Sequence, residues 1–270
     1  MKYTVFGASG FIGSELALFL RDNNIDVYTP KRDDPGIYTQ ELGIVIYCAG
    51  NGDCGKQPLN VLNANTVLLS SIITRCNFTR LVYLSSTRVY MNSMDSNESA
   101  DLIVGESDNR RLFNLTKLVA EELCLKSEKD CVIVRPANVY GKAFSSPLFL
   151  PAITRDAILN GVVNMYVSPE YNKDYVSVHD VVDAIYFLSQ NTLKHRIYNI
   201  ASGINTRAIE IAEILQKKTA CQIVWHESKQ EEIFPVTNIS RLKSEMNFEP
   251  KNVLDDMSGM IDNFRVIINA

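Results

Sequence analysis

Through the first half of the chain, short apolar runs alternate with longer stretches in which apolar residues recur every three or four positions. The runs at 3–6, 26–29, 44–48, 81–85 and 131–135 are rich in Val, Ile, Leu and Tyr. Apolar residues at successive positions predict strands buried on both faces, the condition of a parallel sheet. Between the runs, residues 11–23, 59–76 and 112–125 carry the spacing of amphipathic helices. Strand and helix in alternation, joined by right-handed crossovers, predict an α/β protein with a doubly wound parallel sheet.

After Gly141 the rhythm changes. Ser145-Ser146-Pro147 and Pro151 punctuate a segment that leads into a helix predicted over 153–160. A strand at 175–178, a helix at 181–189 and a strand at 197–200 follow. Further helices are expected around 209–217 and 239–246, with Pro235 and Pro250 as stops. The expected division is a sheet domain of residues 1–144 and 175–200, with a smaller C-terminal α/β lobe of 145–174 and 201–270. Residues 92–109 are polar and acidic and predict a surface loop over the strand ends.

Composition adds mainly exclusions. A 270-residue chain that is 46% hydrophobic and 21% charged has enough apolar surface for a substantial core. A net charge of −4 argues against nucleic acid and anionic membranes as partners, because both need a basic surface. No apolar run reaches the roughly 18 residues of a membrane span. Met1-Lys2-Tyr3-Thr4-Val5-Phe6-Gly7 enters a strand at once and leaves no room for a signal peptide, so a soluble cytoplasmic protein is expected. The six cysteines form no CxxC pair and read as reduced, buried thiols. His179, His195 and His226 share no helical spacing, so no metal centre is expected.

The candidate chemistry begins at the first strand. Gly7-Ala8-Ser9-Gly10-Phe11-Ile12-Gly13 links that strand to the first helix. In such a turn one glycine permits the bend and a second lets the backbone approach a pyrophosphate. The third packs helix on strand, and the helix N-terminus presents its N–H groups to the phosphates. The context is that of a dinucleotide-binding, Rossmann-like domain. After the second strand the chain reads Tyr28-Thr29-Pro30-Lys31-Arg32-Asp33-Asp34. An acid at the strand end would bond a ribose 2′-hydroxyl, whereas basic residues accommodate a 2′-phosphate. Lys31 and Arg32 therefore favour NADP over NAD, the alternative being solvated charges with Asp33 reaching the ribose.

Further along, Tyr47-Cys48-Ala49-Gly50 follows the third strand, and Leu84-Ser85-Ser86-Thr87-Arg88-Val89-Tyr90 ends the fourth. Arg135-Pro136-Ala137-Asn138-Val139-Tyr140-Gly141, Tyr175-Val176-Ser177-Val178-His179-Asp180 and Tyr198-Asn199-Ile200-Ala201 come after them in order. With the glycine turn, these segments make the chain resemble the extended short-chain dehydrogenase/reductases. Within them it is similar to the NAD(P)-dependent nucleotide-sugar epimerase/dehydratase/reductase group, almost end to end. The resemblance implies a cofactor site formed by Gly7, Ser9, Gly10, Phe11, Ile12, Gly13, Lys31, Arg32, Ala49, Gly50, Lys117 and Pro136. It places Ser86 and Thr87 at the reacting sugar, with Asn138 and Arg207 on the substrate side. By the same resemblance Lys117 holds the nicotinamide ribose, and Tyr90 is structural.

One position departs from that pattern. The family's catalytic tyrosine lies four residues before the lysine, where this chain has Phe113. Phenylalanine has no ionisable group and cannot act as general acid or base. No tyrosine occurs between Tyr90 and Tyr140 to replace it. Three readings stay open. Ser86, Thr87, Glu106, Asp108 or a water takes the proton; or the reaction needs less acid/base help; or turnover is lost and a cofactor-binding sensor or scaffold remains. The leading expectation is an oxidoreductase or epimerase, a 4-keto reductase among the options, that moves hydride at C4 of a nucleotide-activated sugar.

On the substrate side Arg155, Arg207 and Lys229 are available cations, each more often a solvated charge than a phosphate contact. Trp225 and the tyrosines offer stacking surfaces, although core packing is the commoner role. The helix pair 59–76 and 112–125 forms a dimer bundle in many relatives. The first helix carries Leu62, Leu68, Leu69, Ile72 and Ile73, so a homodimer is expected, with burial against the sheet as the competing account.

Overall fold

The computed structural model describes residues 1–227 and 232–269. Its elements run β1 (Lys2–Phe6), α1 (Phe11–Asp22), β2 (Asp26–Tyr28), β3 (Ile44–Tyr47), α2 (Pro58–Leu62), α3 (Leu68–Arg75), β4 (Arg80–Leu84) and α4 (Arg111–Lys126). They continue with β5 (Cys131–Pro136), β6 (Asn138–Tyr140), α5 (Phe149–Leu159), β7 (Val162–Met165), β8 (Asn172–Ser177), α6 (Val178–Gln190) and β9 (Ile197–Ile200). The last are β10 (Asn205–Arg207), α7 (Ala208–Thr219), β11 (Gln222–Trp225), α8 (Ser240–Glu245) and α9 (Val253–Asn269).

Six strands form one parallel sheet in the order β2-β1-β3-β4-β5-β9. Period-two alternation sorts its side chains to two faces. Val5, Ile46, Val82 and Val134 join Leu16 and Leu20 of α1 and Ile185 of α6 in one core. Val45, Tyr47, Tyr83 and Ile133 join Leu69 and Ile72 of α3 and Ala120 of α4 in the other. The strand order reverses between β1 and β3, and the crevice beyond that switch point is where α/β sheets take their ligands.

The rest of the chain adds a three-stranded sheet, β10-β8-β6, and a two-stranded one, β11-β7. A third core of Leu150, Ile153, Met165, Ile211, Leu215, Met257 and Phe264 unites α5, β7, α7 and α9. The helix α9 was not anticipated, although Val253, Met257, Met260, Ile261 and Phe264 give it a buried stripe at helical spacing. The segment around α8 does not follow the expected lobe boundary. Its Ile239, Leu242 and Phe248 pack into the first core beside the main sheet.

The predicted single helix over 59–76 is interrupted by a π-helical turn, Asn63–Val67. That turn leaves the Asn65 carbonyl to accept the Tyr83 hydroxyl at 3.3 Å and the Ala64 carbonyl to accept that of Tyr47 at 2.5 Å. Of the apolar residues expected to exceed what the sheet needs, Leu69, Ile72 and Ile73 are buried in the second core and Leu68 packs against it. Leu62 is 41% exposed. The loop 92–109 is partly tied down. Buried Ser96 and Glu98 bond the Val236 carbonyl and the Asn199 N–H respectively. No helix among the described residues is long and apolar enough to cross a membrane.

Candidate active site

The glycine turn closes the C-terminal end of β1 against the end of β3. Gly7 adopts φ +80°, and a Cβ there would stand 2.6 Å from the Ala49 nitrogen. A Cβ on Gly13 would meet the Gly7 carbonyl oxygen at 2.3 Å. Both positions therefore require glycine. Gly10 caps α1 without a side chain, and no acid lies in the first turn, so the N–H groups of Phe11 and Ile12 and the positive end of the helix dipole are left for an external anion. Ser9 is exposed in the turn.

At the end of β2, Lys31 and Arg32 are exposed. Asp34 is turned inward, accepting the Tyr28 hydroxyl at 2.7 Å and the Gly36 N–H at 2.9 Å. Asp33 is exposed and stands in the left-handed region at φ +61°.

Lys117 is the centre of the site. It lies on the inner face of α4, 5% exposed, and its ammonium donates to the Leu84 carbonyl at 2.6 Å. Burial lowers this group from 10.5 to about 8, against the attraction of Glu121. A Cβ on Gly50 would come 3.3 Å from the Lys117 nitrogen, so the glycine keeps the approach to the ammonium open. Asn65 of the π turn accepts the Asn51 N–H at 3.0 Å, and donates to the Asn51 carbonyl at 3.1 Å and to Thr116 at 3.0 Å. It thereby ties the segment after β3 to the turn of α4 that carries Lys117.

Behind Lys117 lies a buried ion pair. Arg135 of β5 reaches Glu121 with Nη2 at 2.5 Å and Nε at 3.0 Å, the two side chains being 3% and 4% exposed. Arg135 also donates to the Tyr90 hydroxyl at 2.6 Å, which in turn donates to Asn199 at 2.9 Å. The Tyr90 hydroxyl is committed to this network, while its side chain borders a small cavity with Thr87 and Asn138.

Ser86 ends β4 and caps the 3-10 turn Thr87–Tyr90, its hydroxyl accepting the Arg88 N–H at 3.1 Å. With Thr87 and Asn138 it lines a polar cavity, shared with Arg88, Arg110, Ala137, Lys173 and Phe234. The Asn138 amide donates to the Asp174 carbonyl at 2.8 Å. Pro136 is buried at the end of β5. Phe113 is half-buried, its ring lying between the Arg110 guanidinium at 4.6 Å and the Lys117 ammonium at 5.7 Å.

Several expected participants stand elsewhere. Asp108 is held by Arg88 at 2.8 Å, by the Arg110 N–H at 2.8 Å and by Asn114 at 2.8 Å, so its lone pairs are engaged. Glu106 is exposed. Arg207 stands apart from the other expected substrate residues. Its guanidinium is engaged at the surface by Glu170 at 3.2 Å and Glu210 at 3.3 Å, and it does not line the cavity beside Ser86. Arg155 donates to the carbonyls of Phe144 and Ser146, fixing the loop before α5. Trp225 packs against the third core, and Lys229 lies outside the described residues. Sequence reasoning missed Arg110, Lys173 and Glu232, which are remote in the chain and carry no shared spacing. It also missed Asn65, whose role depends on the π turn.

The family model described as the NAD dependent epimerase/dehydratase family matches residues 3–201. Over 97% of its length the chain is 22% identical to a UDP-glucose 4-epimerase of Mycoplasma genitalium, covering 96% of that protein. Over 87% of its length it is 23% identical to a GDP-6-deoxy-D-talose 4-dehydrogenase of Aggregatibacter actinomycetemcomitans, covering 84% of it. Among solved structures, a UDP-glucuronic acid 4-epimerase from Bacillus cereus in complex with UDP-glucuronic acid and NAD superimposes with a TM-score of 0.84. Its identity is 17%, with 99% of this chain and 100% of that one covered. MoeE5 in complex with UDP-glucose and NAD superimposes at 0.83 with 20% identity, over 99% and 100% of the two chains.

Proposed function

This chain belongs to the NAD dependent epimerase/dehydratase family, and from that premise we propose that it is an NAD(P)-dependent oxidoreductase or epimerase of a nucleotide-activated sugar, moving hydride at C4, with 4-keto reduction among its options. One observation carries the reading. The buried Lys117 ammonium stands beside Gly50, between a turn that admits only glycine at 7 and 13 and the strand end that carries Ser86.

The residues present fit a nicotinamide dinucleotide. The uncapped start of α1 suits its pyrophosphate, the space over Gly50 suits the ribose, and Lys117 supplies the donor for the ribose hydroxyls. Exposed Lys31 and Arg32, with Asp34 turned away, favour a 2′-phosphate and hence NADP, although the solved relatives named above hold NAD. When bound, the nicotinamide supplies hydride exchange. The chain's own work is to hold the sugar oxygen at Ser86 and Thr87, to orient the ribose through Lys117, and to keep a cation beside the reacting oxygen. Phe113 takes no proton, so Ser86, Thr87 or a water carries that step.

The division into a dinucleotide domain of 1–144 and 175–200 and a substrate lobe of 145–174 and 201–270 is part of this reading, with α8 returning to the first core. So are a cytoplasmic location and a homodimer. Leu59 of α2, Val67 of the π turn, and Leu115, Val119 and Leu123 of α4 are between 36% and 76% exposed on neighbouring helices, an apolar surface suited to a second copy. A sensor or scaffold without turnover is favoured by one observation, the unionisable side chain at 113.

The test follows nicotinamide absorbance with a panel of 4-keto and 4-hydroxy nucleotide sugars, in both oxidised and reduced cofactor. Turnover of at least one is the expected result. Because an epimerase returns the hydride within each turnover, the sugar products are also separated by chromatography; normal cofactor binding with neither an absorbance change nor a new sugar product would overturn the enzymatic reading in favour of the sensor.

A further inference from the structure

The cavity beside Ser86 holds more positive charge than the described residues neutralise. Arg88, Arg110 and Lys173 line it together. Arg88 is 7% exposed and gives Nη2 to Asp108 at 2.8 Å and Nη1 to Glu232 at 2.6 Å. The second Glu232 oxygen meets the Lys173 ammonium at 3.1 Å. Arg110 is left over. Among the described residues its side chain has no hydrogen-bonded acceptor, and its buried Nε has no partner. Among the described residues three cations thus face two carboxylates, and one of those two, Asp108, is turned to the protein interior.

The cations also oppose one another. Burial first, and then Arg88, lowers the Arg110 guanidinium; burial, and then Arg88 and Arg110, lowers Lys173. An unpaired guanidinium in such a place is costly unless an anion arrives. Glu232 is the contrast. It is 31% exposed, and the segment after it is anchored by the Asn92 N–H on the Ile233 carbonyl at 2.8 Å. Its carboxylate lies across Arg88 and Lys173 in the way a bound carboxylate would, which marks the geometry as one that accepts that group.

We infer that the sugar taken into this cavity carries a carboxylate, seated on Arg110 and sharing Lys173 with Glu232, so that the substrate class is a nucleotide-linked uronic acid. This rests on the nucleotide-sugar reading above. Ser86 lines the same cavity, so the anion belongs to the reacting ring and not to the diphosphate. A hydroxymethyl group at that place would leave Arg110 unpaired, whereas a carboxylate pairs it.

The test measures calorimetric affinities on protein loaded with the tighter-binding of NAD and NADP for two matched pairs, UDP-glucuronate with UDP-glucose and GDP-mannuronate with GDP-mannose, and for UDP and GDP alone. In whichever nucleotide series binds, the uronate is expected to bind about tenfold or more tightly than the neutral sugar, the size of a charge-assisted hydrogen bond. R110Q should bring that ratio below about threefold, with the larger loss falling on the uronate. E232Q removes the internal competitor and should tighten the uronate alone, which keeps the inference testable if R110Q folds poorly. Equal affinities within a pair, or loss of UDP or GDP binding itself in R110Q, would overturn it with the nucleotide-sugar reading intact. Failure of every sugar and nucleotide to bind cofactor-loaded protein would sink both.

Discussion

The Arg110 guanidinium lies 4.6 Å from the centre of the Phe113 ring, at the place where the family's acid/base tyrosine is expected. A cation over an aromatic face is held by the ring's negative quadrupole. The Lys117 ammonium stands 5.7 Å from the same ring, so position 113 sits in a positive field. Neither residue replaces a proton carrier, because arginine stays protonated and the Lys117 ammonium is turned to the Leu84 carbonyl.

Restoring the hydroxyl should restore the proton step. Phe113→Tyr places a phenol between two cations, which favours its ionised form. Single-turnover hydride transfer, followed by nicotinamide absorbance, is expected to rise about 10²–10⁴-fold with cofactor affinity unchanged. A variant that binds cofactor normally but reacts no faster than the parent would place position 113 away from the reacting oxygen.

Lys117 sets two pH dependences. Its proton is held below about 8 and lost above it in the folded protein, against 10.5 ordinarily. Dinucleotide affinity should therefore fall as pH rises through about 8, and the dependence should vanish in Lys117→Met. Stability runs the other way. Between about 8 and 10.5 the unfolded chain holds a proton that the folded chain has released. Wild-type stability should then rise with pH across that window relative to Lys117→Met. Parallel urea titrations of the two proteins measure the difference, and curves that stay parallel with pH would rule out a depressed lysine.

Gly13→Ala tests the turn. The new methyl meets a backbone oxygen at 2.3 Å, which no side-chain rotation can relieve. A loss of about 1–3 kcal/mol in urea unfolding is expected, with dinucleotide binding weakened by more than the destabilisation explains. Unchanged binding would show that the turn does not hold the phosphates.

Arg135→Met strands Glu121 in the interior. Breaking a buried pair from one side costs about 3–5 kcal/mol, because the remaining charge is left without compensation. Chemical denaturation should show a loss of that size, and the double variant Arg135→Met with Glu121→Leu should recover much of it. A loss below about 1 kcal/mol for the single variant would mean that water reaches the pair.

Leu115 and Val119 lie one turn apart on α4, 41% and 50% exposed. Light scattering should find the mass of a dimer for the parent and of a monomer for Leu115→Glu with Val119→Glu. A monomeric parent would remove the dimer from the account.

Much of this was legible in the chain. The main sheet was readable because its strands are buried on both faces and its helices on one, so Val5 and Phe6 or Leu81 and Val82 enter opposite cores. The glycine turn was legible because Gly7 and Gly13 tolerate no Cβ. The short strands β6, β7, β10 and β11 were not, since each mixes polar residues into three or four positions outside the regular strand–helix alternation of the main sheet. The π turn left no trace in hydrophobic spacing, because it shifts the register of a helix whose apolar residues still face inward. The ion pair of Arg207 with Glu170 could not be read from the chain, because Glu170 lies far back in it. The cluster of Arg88, Arg110, Lys173 and Glu232 was hidden for the same reason.

The most direct measurement is a calorimetric or fluorescence titration of the purified protein with NAD, NADH, NADP and NADPH. The account predicts saturable binding of one dinucleotide per chain, tighter for the phosphorylated pair through Lys31 and Arg32, and weakened in Gly13→Ala. Absence of binding for all four would contradict it.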